Sequence, residues 1–395
     1  MGSKIKTLKI TNFLSIAPTR VKTIEKEKAV PLPQKDSYTA NRIANALHPE
    51  VQHLVISDII DRGENAKSFL FAPDKEKGTD ALAYFSAGQY ITISLTVGKA
   101  VLSRPYSLSS SPKDSLNGRY EITVKRAEGG LASNFMLDQW KIGDKVEASA
   151  PLGDFTYEPL RDGKTVIALA GGSGITPFVS LAKAISDGDE DCNLIILYGT
   201  KNKKEILFES KLSKLAKECD RIRVINVLSD EDAKDCEKGF ITADLIKKYA
   251  PEGDYSLFIC GPQGMYEFLK KEIISLGLRP KFVRNEVFGE YRNPQKDEGY
   301  PDGVPESVTI KIRLDGKDYQ ITANPNDTIL SAVEKGGVPA PAHCRSGICG
   351  WCHARLLSGE VYIPKSVDGR RMADSEFGYI HPCCTFATSN IEIEI

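Results

Sequence analysis

The sequence lacks an excess of charge of either sign, a long apolar run, an internal repeat and any low-complexity segment. Lys and Arg number 52 and Asp and Glu number 53, which argues against a nucleic-acid-binding protein because that function requires a basic face. No apolar run approaches the length of a membrane span. Met1 is followed by Gly-Ser-Lys rather than by an apolar segment, so we expect no signal peptide and a reducing, cytoplasmic location.

The cysteines are too few for a disulfide framework, since the chain of 395 residues has nine of them. Three have the spacing C-x4-C-x2-C, at Cys344, Cys349 and Cys352, and a Cys383-Cys384 pair follows near the C-terminus. This spacing is typical of plant-type [2Fe–2S] ferredoxins, and thiolates are soft ligands that suit such clusters. The alternatives are a structural zinc site, which usually shows two closely spaced pairs, and a disulfide set, which belongs to short secreted chains.

The rest of the pattern predicts a multidomain protein. Residues 51–160 hold short alternating strands punctuated by Gly and Pro, which predicts an antiparallel β-barrel. Residues 161–290 alternate strands with helices, which predicts an α/β doubly wound domain with a parallel sheet. A linker rich in Pro and Gly at 291–305 precedes a small α+β domain at 306–395 that holds the cysteine loop. Residues 1–50 form an extension without an assigned role, which either packs on the next domain or docks a partner.

Helical spacing of apolar residues also predicts two elements that carry no chemistry. One begins at the capping residues Asp36 to Thr39 and ends near Leu47. The other is a continuous helix over Lys204–Lys217.

One predicted barrel strand carries residues suited to a flavin nucleotide. It reads Arg104-Pro105-Tyr106-Ser107-Leu108-Ser109. An arginine can bind a diphosphate through two parallel hydrogen bonds, a tyrosine can lie against a flavin ring, and a serine hydroxyl can bond the reactive edge of that ring. Further along, Gly129 and Gly130 precede Leu131-Ala132-Ser133-Asn134, where a flexible turn opens a helix whose N-terminus can bind phosphate.

These motifs, with Val124-Lys125-Arg126 between them, resemble the ferredoxin–NADP reductase superfamily. The resemblance implies that Arg104 contacts the flavin diphosphate, that Tyr106 stacks on the isoalloxazine and that Ser107 lies near N5. It also implies FAD rather than FMN, because Lys125 and Arg126 match residues on the diphosphate side of FAD. The implied flavin-binding residues are Arg104, Pro105, Tyr106, Ser107, Leu108, Lys125, Arg126, Gly129, Gly130, Ala132 and Ser133.

A glycine-rich turn in the parallel domain predicts a dinucleotide site. The turn is Gly171-Gly172-Ser173-Gly174-Ile175-Thr176-Pro177, which opens a helix and lets a pyrophosphate approach the backbone. It resembles the dinucleotide loop of the same family, and Cys260-Gly261-Pro262-Gln263-Gly264-Met265 resembles its C-G-P-x-x-M motif, whose cysteine lies near nicotinamide C4. A buried strand thiol is the alternative interpretation of Cys260. The implied residues are Gly172, Gly174, Thr176, Tyr198, Ser229, Asp230, Cys260, Gly261, Pro262 and Met265, with Phe288 near the flavin.

The preferred dinucleotide is indicated by Asp230. It stands where NADPH-using members of the family often carry an arginine, and a carboxylate repels a 2′-phosphate but accepts a hydrogen bond from a ribose hydroxyl. We therefore predict NADH. Lys201, Lys203 and Lys204 are close in sequence and leave NADPH as the alternative.

The resemblance extends over residues 51–395 and implies a β-grasp fold for the last domain. The four implied cluster ligands are Cys344, Cys349, Cys352 and Cys383. Cys383 is preferred because it follows the predicted strand Phe377–Ile380, where the last ligand of the family lies, but Cys384 stays open.

The predicted function is an NAD(P)H:acceptor oxidoreductase in which electrons pass from NADH through FAD and the cluster to a separate protein. The order of domains resembles reductase components that feed oxygenases. The implied residues at the place of hydride transfer are Ser107, Thr176, Cys260 and Glu286. The alternatives are an electron-transfer subunit of a larger dehydrogenase complex and a redox-sensing binding module.

Overall fold

The computed structural model describes residues 38–63 and 65–395, together with residues 20, 22, 23 and 26. The chain divides into two compact units, residues 1–47 and residues 48–395. The first contains helix α1 (Thr39–Leu47), as the sequence predicts. Most of the predicted extension before residue 38 lies outside the described residues. Within the described part, no helix is both long and apolar enough to cross a membrane.

The second unit begins with a six-stranded antiparallel sheet in the order β4-β3-β6-β1-β2-β5. Its strands are β1 (Gln52–Asp61), β2 (Ala66–Pro73), β3 (Tyr90–Val97), β4 (Ala100–Ser107), β5 (Tyr120–Lys125) and β6 (Lys145–Ala148). The two outer strands meet where Leu108 bridges Ile122, so the sheet closes into the predicted barrel. Alternate residues such as Ile91 and Ile93 fill its core, and helices α2 (Pro112–Leu116) and α3 (Leu131–Gln139) lie in the connections.

A six-stranded parallel sheet follows, in the order β10-β9-β8-β7-β11-β12. Its strands are β7 (Thr165–Gly171), β8 (Asn193–Thr200), β9 (Ile222–Leu228), β10 (Glu237–Lys238), β11 (Tyr255–Cys260) and β12 (Val283–Glu286). The helices are α4 (Thr176–Ser186), α5 (Glu209–Glu218), α6 (Ala243–Tyr249) and α7 (Gln263–Ile274). Along β7, Val166 and Ala168 pack into one core and Ile167 and Leu169 into another, so both faces are covered as in a doubly wound fold.

The predicted helix over Lys204–Lys217 is wrong in its first half. A 3₁₀ turn covers Lys203–Glu205, Phe208 has a left-handed φ of 60°, and α5 begins only at Glu209. The Phe208 ring is buried, with the guanidinium of Arg62 4.3 Å from its centroid. Burial of this ring therefore outweighs the local helical preference.

The last sheet has five strands in the order β14-β13-β19-β15-β17. Its strands are β13 (Val308–Leu314), β14 (Lys317–Ala323), β15 (Ala354–Ser358), β17 (Tyr379–Ile380) and β19 (Ile391–Glu394), and β16 (Val361–Tyr362) pairs with β18 (Phe386–Ala387) beside it. Helix α8 (Ile329–Lys335) contributes Ile329 and Val333 to its core, and α9 (Met372–Glu376) follows the cysteine loop. A mixed sheet packed against one helix is the predicted α+β arrangement.

Candidate functional site

A cavity of about 550 Å³ lies where the barrel meets the last domain, a volume in the range of small-molecule sites. Most of the predicted flavin residues line it, and so does the beginning of α8. The predicted lining residues are Arg104, Pro105, Tyr106, Lys125, Gly129, Gly130, Ala132, Ser133 and Phe288.

The Arg104 guanidinium retains donors for an anion. Its Nη1 donates to the Ser103 carbonyl oxygen at 2.8 Å and to Glu334 Oε2 at 2.9 Å. Its Nε and Nη2 make no hydrogen bond to the residues that the structure describes. A guanidinium has five N–H donors, so Arg104 can bind a diphosphate without releasing Glu334.

Tyr106 and Ser107 occupy successive positions at the end of β4. The Tyr106 hydroxyl lies 3.3 Å from Met136 Sδ, and burial raises the pKa of Tyr106 to about 12, so the ring stays neutral. Ser107 is buried and pairs with Tyr90, whose ring meets Phe288 edge-on at 5.5 Å. The strand end and the Phe288 segment are thereby brought together.

Some predicted residues line neither this cavity nor the second one described below: Ser107, Leu108, Arg126, Gly174, Thr176, Tyr198, Asp230, Cys260, Gly261 and Glu286. Successive side chains of an extended chain point to opposite sides, so Lys125 lines the flavin cavity whereas Arg126 pairs with Asp138 at 2.6 Å on the surface. Leu108 is fully buried in the barrel core. Tyr198 is also fully buried, where its hydroxyl donates to the Gly172 carbonyl oxygen at 3.0 Å and supports the glycine-rich turn from below.

A second cavity of about 550 Å³ lies at the carboxyl ends of the parallel strands, where the strand order reverses at β7 and β11. Open α/β sheets bind ligands at such a point. A Cβ added at Gly174 would overlap the carbonyl oxygen of Cys260, so only glycine lets the two motif loops pack together. The lining residues include Gly171, Gly172, Gly199, Ser229, Pro262 and Met265, together with Phe240 and Phe268.

Lys125 and Asp230 occupy the edges of this second cavity. Lys125 lines both cavities and pairs with Glu205 at 3.0 Å, so one ammonium group faces both predicted nucleotides. Asp230 lies just outside the lining and accepts a hydrogen bond from Ser229 Oγ at 2.6 Å. A ribose hydroxyl beside Ser229 would reach this carboxylate.

Cys260 and Glu286 are adjacent across β11 and β12. Burial raises the pKa of Cys260 well above its usual value, so the thiol stays protonated. Burial, followed by the charges of Asp154 and Cys344, also raises the pKa of Glu286 well above its usual range. Glu286 Oε2 is buried and has no partner among the described residues, which leaves it for a polar group of a ligand. Thr176 begins α4, and its hydroxyl donates to the Ser173 carbonyl oxygen at 3.0 Å.

The four predicted cluster ligands converge as two thiol pairs, Cys344 with Cys349 and Cys352 with Cys383. A [2Fe–2S] cluster has two irons held by four thiolates, so this arrangement fits it. A mononuclear zinc site needs four groups around one point. Among the described residues, no three His, Cys, Asp or Glu side chains gather around one point, so the cysteine spacing rather than this geometry distinguishes a cluster from zinc.

Backbone N–H groups point at these sulfurs. Ser346 and Cys349 donate to Cys344 Sγ at 3.5 and 3.4 Å, and Gly347 donates to Cys383 Sγ at 3.3 Å. The neighbouring Cys349 thiol, followed by hydrogen bonds from Ser346 and from the Cys349 N–H, lowers the pKa of Cys344 below its usual value, which favours the thiolate that an iron requires. Cys384 Sγ instead donates to the His381 carbonyl oxygen at 3.5 Å.

Comparison with known proteins identifies three domains in the chain. Family models match residues 54–157 as an oxidoreductase FAD-binding domain, 168–271 as an oxidoreductase NAD-binding domain and 312–388 as a 2Fe-2S iron-sulfur cluster binding domain. The ferredoxin reductase component of 3-ketosteroid-9-alpha-monooxygenase from Mycobacterium tuberculosis is 30% identical over 352 residues, which cover 85% of this chain and 93% of the relative. The chain belongs to this family of oxygenase reductase components.

Further similarities agree with that membership. The glycine betaine monooxygenase reductase subunit of Pseudomonas aeruginosa is 26% identical to this reductase over 357 residues, 87% of this chain and 95% of the relative. Phthalate dioxygenase reductase, described as a modular structure for electron transfer from pyridine nucleotides to [2Fe–2S], has the same fold with a TM-score of 0.64. It is 24% identical, and the match covers 87% of this chain and 98% of that one.

This reductase is an NAD(P)H-dependent oxidoreductase that uses FAD and a [2Fe–2S] cluster. The predicted fold class, enzyme class and cofactors are confirmed. The roles of individual residues and the domain boundaries stay predictions.

Sequence reasoning missed two parts of the site. Phe240 and Phe268 are 67% and 38% exposed, yet their rings lie 5.8 Å apart at the second cavity. The sequence did hold a signal for Phe268, because it follows the motif residue Met265 by one helical turn and therefore lies on the same face of the helix. The other part is the set of charges around Arg104, whose partners are distant in the sequence.

Proposed function

We propose that this reductase passes electrons from NADH to the terminal component of an oxygenase. The relatives are named as reductase components of monooxygenases, and the chain covers more than nine tenths of their length. The observation that carries the proposal is the convergence of the site residues. Arg104 of the barrel is joined through Glu334 to Arg345, the residue after Cys344, by ion pairs of 2.9 and 2.7 Å. Burial, and after it the charges of Cys344 and Cys349, raises the pKa of Tyr90, whose ring meets Phe288, which agrees with that proximity.

FAD, when bound, supplies the conversion of a two-electron hydride donor into a source of single electrons. Arg104 and the Gly130 turn would bind its phosphates, and Tyr106 would contact its ring. Ser107 and Glu286 would lie at its reactive edge, where a protonated Glu286 would offer a hydrogen bond without adding a second negative charge. Gly174 and Cys260, whose loops pack together, would support the nicotinamide.

The four thiols hold the cluster at the side of the last domain that faces the barrel. Nine cysteines form no disulfide, which supports our proposal that the protein works in a reducing cytoplasm.

An anaerobic titration of the purified protein with NADH tests the electron path. We expect loss of flavin absorbance together with a rhombic electron paramagnetic resonance signal from the reduced [2Fe–2S] cluster. Loss of flavin absorbance without that signal would contradict the path and favour a subunit of a larger complex.

A coupled assay tests the acceptor. With an oxygenase component and its substrate, we expect one product for each NADH consumed, and only when both proteins are present. Failure of the oxygenase to reoxidise the NADH-reduced cluster would overturn the assignment of the acceptor while leaving the reductase activity intact.

A further inference from the structure

Four charged residues form a chain of ion pairs between the flavin cavity and the cysteine loop, in the order Arg104, Glu334, Arg345 and Glu290, which we call the four-charge junction. Arg345 Nη1 lies 2.7 Å from Glu334 Oε1, and Arg104 Nη1 lies 2.9 Å from Glu334 Oε2. Arg345 also donates to Glu290. Two positive and two negative groups leave the junction neutral, as burial requires.

The junction joins the barrel, the parallel-sheet domain and the last domain. Arg104 is on β4 of the barrel, Glu290 follows β12 of the parallel sheet, Glu334 is on α8, and Arg345 follows the thiol Cys344. The side chains of Glu334 and Arg345 are 1% and 2% exposed. A charge so deeply buried is stable only when each partner stays in place, so the junction holds the last domain at one position on the barrel.

Neighbouring contacts support the same position. Glu334 Oε1 also accepts from the Ser103 backbone N–H at 3.1 Å, and Ser103 Oγ donates to the Ala342 carbonyl oxygen at 3.2 Å. Arg345 has a φ of 56°, a left-handed conformation that is uncommon outside glycine. Its ion pairs with Glu334 and Glu290 therefore hold the backbone directly beside Cys344.

We propose that Glu334 is a positioning residue that sets the rate at which electrons pass from the flavin site to the cluster, without contributing to hydride transfer from NADH. This inference rests on the proposed function. Each NADH becomes NAD⁺ by giving a hydride, which is two electrons and one proton, to the flavin. The flavin passes the two electrons singly through the cluster to two one-electron acceptors, and the proton is released to solvent when the flavin is reoxidised. Electron transfer from the flavin to the cluster depends on the distance that the junction sets, whereas hydride transfer from NADH to the flavin does not.

The test compares three glutamate-to-glutamine variants of the full-length protein in anaerobic stopped-flow experiments with NADH. Glu334→Gln removes the central charge, and Glu290→Gln removes one that is 20% exposed. Glu392→Gln is the matched control, because it breaks an ion pair of the same domain, with Arg313 at 3.1 Å, away from the junction. Loss of flavin absorbance and reduction of the cluster are followed separately, with FAD and iron contents measured for each protein.

We expect flavin reduction within twofold of the wild type in all three variants. Cluster reduction should be slower by roughly tenfold or more in Glu334→Gln, slower by a smaller factor in Glu290→Gln and unchanged in Glu392→Gln, since small displacements of reacting groups lower rates steeply. A fully loaded Glu334→Gln protein that reduces its cluster as fast as the control would overturn the proposal.

If Glu334→Gln loses FAD or iron, the Glu290→Gln variant becomes the test. Slower cluster reduction in Glu290→Gln protein that retains FAD and iron supports the proposal, and an unchanged rate rejects it. A wild-type protein whose cluster NADH does not reduce would refute the proposed function itself, which is a different result.

Discussion

At the scale of residues, the exposed pair Phe240 and Phe268 stands out because large aromatic rings are rarely left in solvent without a ligand or partner. Their place at the dinucleotide cavity suits the adenine ring of NADH. Base–aromatic stacking is worth about 1–3 kcal/mol by alanine substitution. We expect Phe268→Ala to raise KM for NADH about tenfold with kcat unchanged, measured with ferricyanide as electron acceptor.

The control for this variant is Ile274→Ala. Ile274 is 78% exposed on the same helix and does not line the cavity. A lowered kcat with an unchanged KM in Phe268→Ala would contradict adenine stacking.

Asp230 gives a prediction of dinucleotide preference. We expect the wild type to favour NADH, and Asp230→Arg to change the ratio of kcat/KM for NADPH over NADH by at least about tenfold toward NADPH, because a repelling charge becomes an attracting one. Steady-state rates with both dinucleotides measure this ratio. A wild type that prefers NADPH would show that Lys201, which lines the cavity, dominates instead.

Glu190 gives a prediction of pH dependence. Burial, together with the charges of Glu158 and Asp189, raises its pKa from 4.5 to about 7. The folded chain thus binds this proton more tightly than the unfolded chain does, so the stabilisation is complete below pH 4.5 and is lost as the pH rises through about 7. We expect Glu190→Gln to raise the free energy of unfolding by on the order of 2 kcal/mol at about pH 8, a figure discounted for partial exposure. Below pH 4.5 we expect no change.

Thermal unfolding at the two pH values measures this effect. Asp254→Asn is the matched control, because it removes an exposed ion pair with Arg279 at 2.9 Å that does not act on Glu190, and it should lower stability only slightly at about pH 8. An equal effect of Glu190→Gln at both pH values would refute the assignment.

At the scale of elements, the turn Pro382–Cys384 carries two adjacent thiols with different surroundings. Cys383 Sγ accepts the Gly347 N–H and contacts Cys352, whereas Cys384 Sγ bonds a carbonyl oxygen. We expect Cys383→Ser to lose most of its iron and labile sulfide and Cys384→Ser to retain both, measured by chemical analysis. The reverse result would make Cys384 the ligand.

Most elements could be predicted from the sequence, because buried parallel strands are continuous apolar runs with clear ends. Strand β7 (Thr165–Gly171) is such a run, buried from end to end. Helix α5 was predicted too long, because the burial of Phe208 depends on Arg62 in another sheet. Short elements such as α9 were not predicted, since five residues provide too little periodicity.

At the scale of the whole molecule, docking of the cluster domain is intramolecular. We expect the first-order rate of cluster reduction to be independent of protein concentration and to change less than about twofold over a tenfold range of ionic strength, because buried ion pairs are poorly screened. Stopped-flow measurements give both dependences. A rate that rises with protein concentration would indicate electron transfer between molecules.

The motifs predicted the three cofactors because each motif is local in the sequence. They could not predict the four-charge junction, because its residues come from different domains. Arg104 and Glu334 are brought together only when separately folded sheets meet. The direction of side chains was a second limit, since Lys125 and Arg126 match the family equally well in sequence and only Lys125 lines the flavin and dinucleotide cavities.

The contact between Gly174 and Cys260 has a consequence for how this site can change during evolution. Any side chain at position 174 would displace the strand end that carries the thiol, so the two loops cannot vary one at a time. A library randomised at position 174 alone should return glycine in every active clone. New dinucleotide specificity is therefore easier to acquire at the adenosine end of the cavity, where Asp230 and the phenylalanines vary without disturbing the place of hydride transfer.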